Sequence, residues 1–236
     1  MSDFDRNVAA FPGAARTVAV DAGLRAHMIR VYNYMAGGVA LTGVVAYFTH
    51  QFFGQALYGS PLMYVLMFAP LVLVFFISFR IESLSASTAR ALFFVYAALV
   101  GASLSIIFAV YTEASITRVF FISAAAFAGL SLWGYTTQRD LTGMGSFLMM
   151  GLIGIIIASL VNIFLRSSGL DWIISVVGVL VFAGLTAYDT QKIKEMYSVN
   201  DDGTVSGRKA IMGALTLYLD FLNIFLFMLQ LFGDRR

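Results

Sequence analysis

Long runs without charge dominate this chain. Val31 to Phe79 contains no Asp, Glu, Lys or Arg over 49 residues. Ala91 to Thr112 adds 22 such residues, Val119 to Gln138 adds 20, Leu141 to Leu165 adds 25 and Trp172 to Tyr188 adds 17. Ala210 to Gly233 is a run of 24 broken by one charge, Asp220. A helix rises about 1.5 Å per residue against about 30 Å of hydrocarbon, so these runs have the length of membrane spans. The shortest, at Trp172, gains its length by continuing past Asp189. The 49-residue run is too long for one span, and Gly54, Gly59, Ser60 and Pro61 break it into helices near 31–53 and 61–80. The pattern predicts an all-α membrane protein with seven transmembrane helices. A tail over 1–30 precedes the spans at 31–233, and 234–236 form a short C-terminal tail. Continuous rather than alternating apolar runs exclude a β-barrel.

Composition agrees and excludes several classes. The chain is 60% hydrophobic and 12% charged, where a soluble domain is nearer a quarter charged. With no Cys, the chain has neither disulfides nor thiolate metal sites. Two histidines, His27 and His50, are too few for a multi-His metal centre. A net charge of +2 does not suit a nucleic-acid partner. Asp3 and Asp5 at the start, with no apolar core beside them, do not form a cleavable signal peptide. The NDDG stretch fails as a calcium loop: with Gly203 as the turn glycine, the twelfth position is Lys209 rather than Glu. No hydrolase elbow, phosphate loop or HExxH pattern occurs, and the chain is expected to be no enzyme and to carry no cofactor.

Basic residues set the expected orientation. With a cytoplasmic N-terminus, the inner flanks hold Arg6, Arg16, Arg25, Arg30, Arg80, Arg90, Arg139, Lys192, Lys194, Arg208 and Lys209, eleven of the 15. The outer flanks hold Arg118, Arg166, Arg235 and Arg236. The positive-inside bias favours that orientation, although the last two arginines oppose it. Asp171 is expected to cap the sixth helix before Trp172. Glu113, Arg118, Arg139, Asp140 and Arg166 read as solvated loop charges, and Asn162 as a bridge between helices. Residues 192–209 read as a flexible polar turn. Small residues at Gly37-Gly38, Gly101 to Ser103, Ala124 to Ala126 and Gly151 to Gly154 suit close helix packing.

Three charged residues lie at membrane depth on one side: Arg80 at the end of the second helix, Asp189 near the end of the sixth, and Asp220 inside the seventh. An intramembrane acid persists only against protein or water and marks a site for protons or cations. Thr216, Asp220 and Asn223 share one face of the seventh helix, and Thr186 shares a face with Asp189 on the sixth. Two such faces can build a dicarboxylate pocket. Close carboxylates resist joint ionisation and titrate as a unit. Arg80 can neutralise the pair.

GLTAYDTQKIK (184–194) and GALTLYLDFLNIFLFMLQLFG (213–233) closely resemble the signature ends of the Bax inhibitor-1, or transmembrane Bax inhibitor motif, family. GYTTQRDLTGMG (134–145) resembles its fourth-to-fifth helix junction, and the likeness runs over all seven helices. It is nearest to short bacterial members. The resemblance implies six helices around a central seventh, and a pH-sensitive calcium leak in a bacterial inner membrane. It implies that Asp189 and Asp220 form a di-aspartyl pH sensor and that Arg80 acts as its latch. The ISFRIESLS context of Arg80 is the looser match. Calcium is a hard cation that takes oxygen ligands. Asp189 and Asp220, with Thr186, Thr216 and Asn223 in support, offer them. The expected partners are the lipid bilayer, calcium ions and protons.

Two rival readings stand beside the leak. Some bacterial relatives are linked to a membrane-bound protease, so the chain can instead regulate such a protease by protein contact. A proton-coupled transporter of another solute is the second. An intramembrane aspartyl protease ranks last, since neither Asp189 nor Asp220 follows a Gly as the GxGD motif requires.

Overall fold

The computed structural model describes residues 12–236, with side chains from residue 22 onward. The chain is helical throughout: α1 (Pro12–Leu57), α2 (Pro61–Arg80), α3 (Ala86–Leu104), the single turn α4 (Ile107–Val110), α5 (Glu113–Thr136), α6 (Thr142–Leu165), α7 (Ser168–Glu195) and α8 (Gly203–Phe232). Helices α3 and α4 together make one span, and α1 contains the uncharged stretch that begins at Val31. Six spans, from α2 to α8, are long and apolar enough to cross a membrane. With α1 they give the expected seven-helix, all-α membrane protein.

Helix ends lie outside the uncharged runs because polar residues cap them. Thr112 accepts from the Ser115 amide and starts α5, with Glu113 in its first turn, where a negative charge complements the helix dipole. Ser167 rather than Asp171 caps α7, and Asp171 sits in its first turn. The region expected to be a flexible turn over 192–209 is mostly helix. Helix α7 runs to Glu195, and Asp202 accepts from the Val205 amide at 2.7 Å to start α8. The intervening turn is held by a Lys209–Asp201 ion pair of 2.6 Å. The tail expected over 1–30 joins α1 at Pro12, and residues 1–11 lie outside the described residues.

Helix α8 is the most buried element. It packs along α1, α3, α5 and α7, while α2 rests chiefly on α3 and α6 on α7. The outer faces of α2 and α6 carry Phe79, Phe164 and other apolar side chains that are almost fully exposed, at 83% and 86% for these two. Exposed apolar area on that scale belongs against lipid rather than water. At the centre, Tyr218 of α8 stands edge-on to Phe93 and Tyr96 of α3, with ring centroids 5.8 Å apart in both cases. Its hydroxyl is 2.6 Å from Thr42 Oγ1 of α1, which donates to the Ala97 carbonyl. One buried phenol thereby ties three helices.

The two ends of the bundle differ. One end gathers the α5–α6 and α7–α8 turns, with Tyr197 against His27 of α1. At the other, Asp234 and Arg236 pair with the α4–α5 turn: Thr112 N donates to Asp234 O at 3.0 Å, and Arg236 N to Val110 O at 2.9 Å.

Close approach of α5 and α7 depends on Gly134. A Cβ there would lie 2.2 Å from the Ala187 carbonyl oxygen, which is fixed backbone, whereas Gly154 faces open space. Gly134→Ala is expected to destabilise the fold by about 1–3 kcal/mol, the range for overpacking. Gly154→Ala is expected to leave it unchanged or slightly more stable. Thermal unfolding of both variants in detergent checks this.

Candidate functional site

The α7–α8 hairpin builds the site. Glycines let the two helices close: a Cβ at Gly178 would lie 2.6 Å from the Phe227 ring, and one at Gly213 would lie 3.0 Å from Ile193. That packing carries Asp189 and Asp220 to the same level. Their side chains lie within hydrogen-bonding reach of each other. Asp220 is 4% exposed and Asp189 is half-buried. Oδ2 of Asp220 has no donor among the described residues. A carboxylate only accepts, so a hydrogen bond between the two acids needs one of them protonated. The arrangement is a place to hold a single proton between two helices.

The other residues singled out in the sequence are placed differently. Thr186 donates to the Phe182 carbonyl at 2.8 Å, Thr216 to Met212 at 3.1 Å, and Asn223 Nδ2 to Leu219 at 2.8 Å. Each satisfies a carbonyl of its own helix, so their remaining oxygen lone pairs are what they offer a cation. Arg80 ends α2 on the surface, and the ion pairs among the described residues do not include it. No third His, Cys, Asp or Glu joins the pair to form a metal cluster among the described residues. Asn162 does bridge helices, since its side-chain amide donates to Asp171 of α7. It also holds the turn after α6, where Arg166 adopts a left-handed conformation (φ 49°).

Several contributors carry no charge and gave no sequence signal. Gln191, two residues beyond Asp189, clamps the α5–α6 turn: its Oε1 accepts from the Leu141 amide at 2.9 Å and its Nε2 donates to the Arg139 carbonyl at 2.8 Å. Thr190 lies 2.8 Å from Ser131 of α5, which lies 2.6 Å from the Tyr32 hydroxyl of α1. Tyr188 packs over Gly145, where a Cβ would come within 2.5 Å of the ring. In the same turn, hydrogen bonds from the Thr142 side chain and amide hold the exposed Asp140 below the usual carboxylate range. It is therefore a fixed charge rather than a partner in proton sharing.

Toward the end of the bundle that holds the C-terminus, a polar recess of about 440 Å³ opens between α6, α7 and α8, lined by Asn162, Arg166, Asp171 and Gln230. A neighbouring recess of about 270 Å³ shares Ser159 with it and reaches Asn223. Asn223 stands one turn from Asp220 on α8.

A helical membrane protein whose central helix carries an acid facing a second acid on its neighbour defines a class: a polytopic protein with a buried intramembrane carboxyl pair. The chain belongs to the Bax inhibitor-1 family. The profile described as inhibitor of apoptosis-promoting Bax1 matches residues 24–236. The chain is 46% identical over 231 residues to the inner membrane protein YbhL of Escherichia coli K12, covering 96% of this chain and 99% of that one. It is 48% identical over 223 residues to the protein RP147 of Rickettsia prowazekii, covering 92% of each. A Caulobacter vibrioides protein is 45% identical over the full length of both.

A proton shared between the two carboxyls would have a spectroscopic consequence. Infrared titration of the wild type is expected to show a buried carboxylic-acid C=O band that disappears as pH rises. Asp220→Asn supplies a permanent amide donor in its place and is expected to lose that band at every pH. A band that persists unchanged in Asp220→Asn and in Asp189→Asn would remove the shared proton.

Proposed function

We propose that this chain is a pH-sensitive calcium leak of the bacterial inner membrane, gated by the Asp189–Asp220 pair, with its N-terminus in the cytoplasm. The observation that carries the reading is the meeting of two acids from different helices inside the bundle, one of them with an Oδ2 that has no other donor among the described residues. With a proton between them, the pair is a hydrogen bond that staples α7 to α8. Without it, two like charges repel and offer oxygen ligands to a hard divalent cation. That makes a two-state element biased by one proton. Calcium prefers six to eight oxygens. Two carboxylates with hydroxyl and carbonyl support suit passage of the ion more than storage.

The two recesses beside α8 run from Asn162 past Ser159 as far as Asn223; on this reading the last turn, from Asn223 to Asp220, opens when the pair loses its proton. Arg80 is the cation that α2 offers to the deprotonated pair. It stands at the surface here, so that role requires the end of α2 to move inward. The name of YbhL places that relative in the inner membrane, and the excess of basic residues at the end that gathers α7–α8 supports a cytoplasmic N-terminus.

Calcium flux into liposomes holding the purified protein tests the reading. Wild-type flux is expected to change with pH over about two pH units, the width of a single-proton transition. Asp189→Asn with Asp220→Asn is expected to flatten that profile. A silent wild type in a folded preparation, or an unchanged profile in the double variant, overturns the leak and favours a membrane-embedded regulator of a protease.

A further inference from the structure

Helices α1 and α5 both pack on α8 but not along each other, and a lateral groove of about 670 Å³ remains between them, with Phe221 of α8 at its floor. Its walls are apolar, and Ala36 of α1 and Ala128 of α5 keep it open. Along α1 it extends from Arg25 to Ala40. The fifteen helical rises between them span about 23 Å, more than the about 15 Å of one hydrocarbon leaflet. Three hydroxyls in series, Tyr32, Ser131 and Thr190, tie α1, α5 and α7 partway along it. The groove is therefore preformed rather than a gap that opens on demand.

Charge marks one end only. Arg25 lines the mouth, as does Tyr135. Tyr135 holds a second cation: Lys194 Nζ donates to its carbonyl at 3.0 Å and stands 5.4 Å from its ring. An apolar trough longer than a leaflet, with a guanidinium at its mouth and Lys194 behind Tyr135, matches one kind of molecule. We propose that the groove binds an acidic phospholipid from the leaflet at the α1 N-terminal end, one acyl chain lying between α1 and α5 and the phosphate meeting Arg25. A guanidinium gives a phosphate paired donors that a zwitterionic headgroup neutralises in part. A second protein helix would have no use for the guanidinium at the mouth. This assignment does not rest on the calcium reading.

Native mass spectrometry of the full chain in mild detergent, with equal phosphatidylglycerol and phosphatidylcholine added, tests it. The wild type is expected to retain phosphatidylglycerol about fivefold over phosphatidylcholine, the scale of one basic residue near an anionic headgroup. Arg25→Gln is expected to bring that ratio close to one. Ala128→Phe fills the groove and is expected to remove retention of both lipids. Ala36→Phe, from the opposite wall, repeats that test should Ala128→Phe misfold. Both alanines are exposed, and unchanged unfolding temperatures identify folded variants. Equal retention of the two lipids by the wild type overturns the proposal. So does a ratio unmoved by Arg25→Gln, or retention that survives in folded groove-filling variants. A dimer that Ala128→Phe dissociates, with no lipid retained, assigns the groove to a second copy instead.

Discussion

A bilayer core offers no water, so a polar group at depth must find its partner in the protein. Helix α8 carries that constraint for the whole fold, because it is enclosed by α1, α3, α5 and α7. Most polar side chains inside the bundle meet the requirement locally. Ser175, Thr186, Thr190, Thr216 and Asn223 each donate to a carbonyl one turn back on their own helix. Tyr218 meets it through Thr42 of α1. Two groups among the described residues are exceptions: His27 Nε2 in the N-terminal half of α1, and Asp220 inside α8, where neither its own helix nor a neighbouring hydroxyl donates to Oδ2. What faces Asp220 is another acid, and that acid becomes a donor only with a proton. The chemistry of the site follows from this one unmet valence.

The two segments on either side of the hairpin and the α5–α6 junction interlock. Gly134 lets α5 touch the backbone of Ala187, Gly145 makes room for Tyr188, and Gln191 closes the Arg139–Leu141 turn with both ends of its amide. The residues flanking Asp189 are thus held on the side away from Asp220. The carboxyl of Asp189 reaches the pair from a helix fixed by its neighbours rather than by its own charge. A carboxyl held this way loses little freedom in meeting Asp220.

Much of this was legible in the sequence. A run of 17 to 25 residues without charge has few alternatives to a membrane helix, and an acid inside such a run is conspicuous. Asp220 stood out for that reason and Asp189 as an acid at the edge of such a run, and both lying toward one side allowed them to meet without requiring it. Helix ends were less legible, because caps such as Ser167 and Asp202 lie beyond the apolar core and their hydrogen bonds are local geometry rather than hydropathy. Helix α8 therefore begins at Gly203, seven residues before its uncharged run. Ser131, Tyr32 and Gln191 were not legible at all. Neutral polar residues are common in membrane helices, and what distinguishes these is a partner 50 to 99 residues away. The partnership exists only once the helices are packed. Arg80 shows the converse: its position in the sequence pointed toward the pair, and the fold leaves it at the surface.

A change of charge at the pair can move only what is not already locked to α8. Helices α1, α3, α5 and α7 share its buried surface, and shifting any of them would open contacts such as Tyr218 with Phe93 or Gly134 with Ala187. Helices α2 and α6 are different, since each rests on one inner helix and turns most of its surface to lipid. A packed interior is bistable rather than softly deformable, so a gate belongs where a whole element can slide on one interface. Helix α6 borders the recesses that lead to Asn223, and α2 carries Arg80 at its end. On the proposed reading, proton loss at the pair is passed on as motion at these two outer helices, while the contacts of α8 with α1, α3 and α5 stay in place.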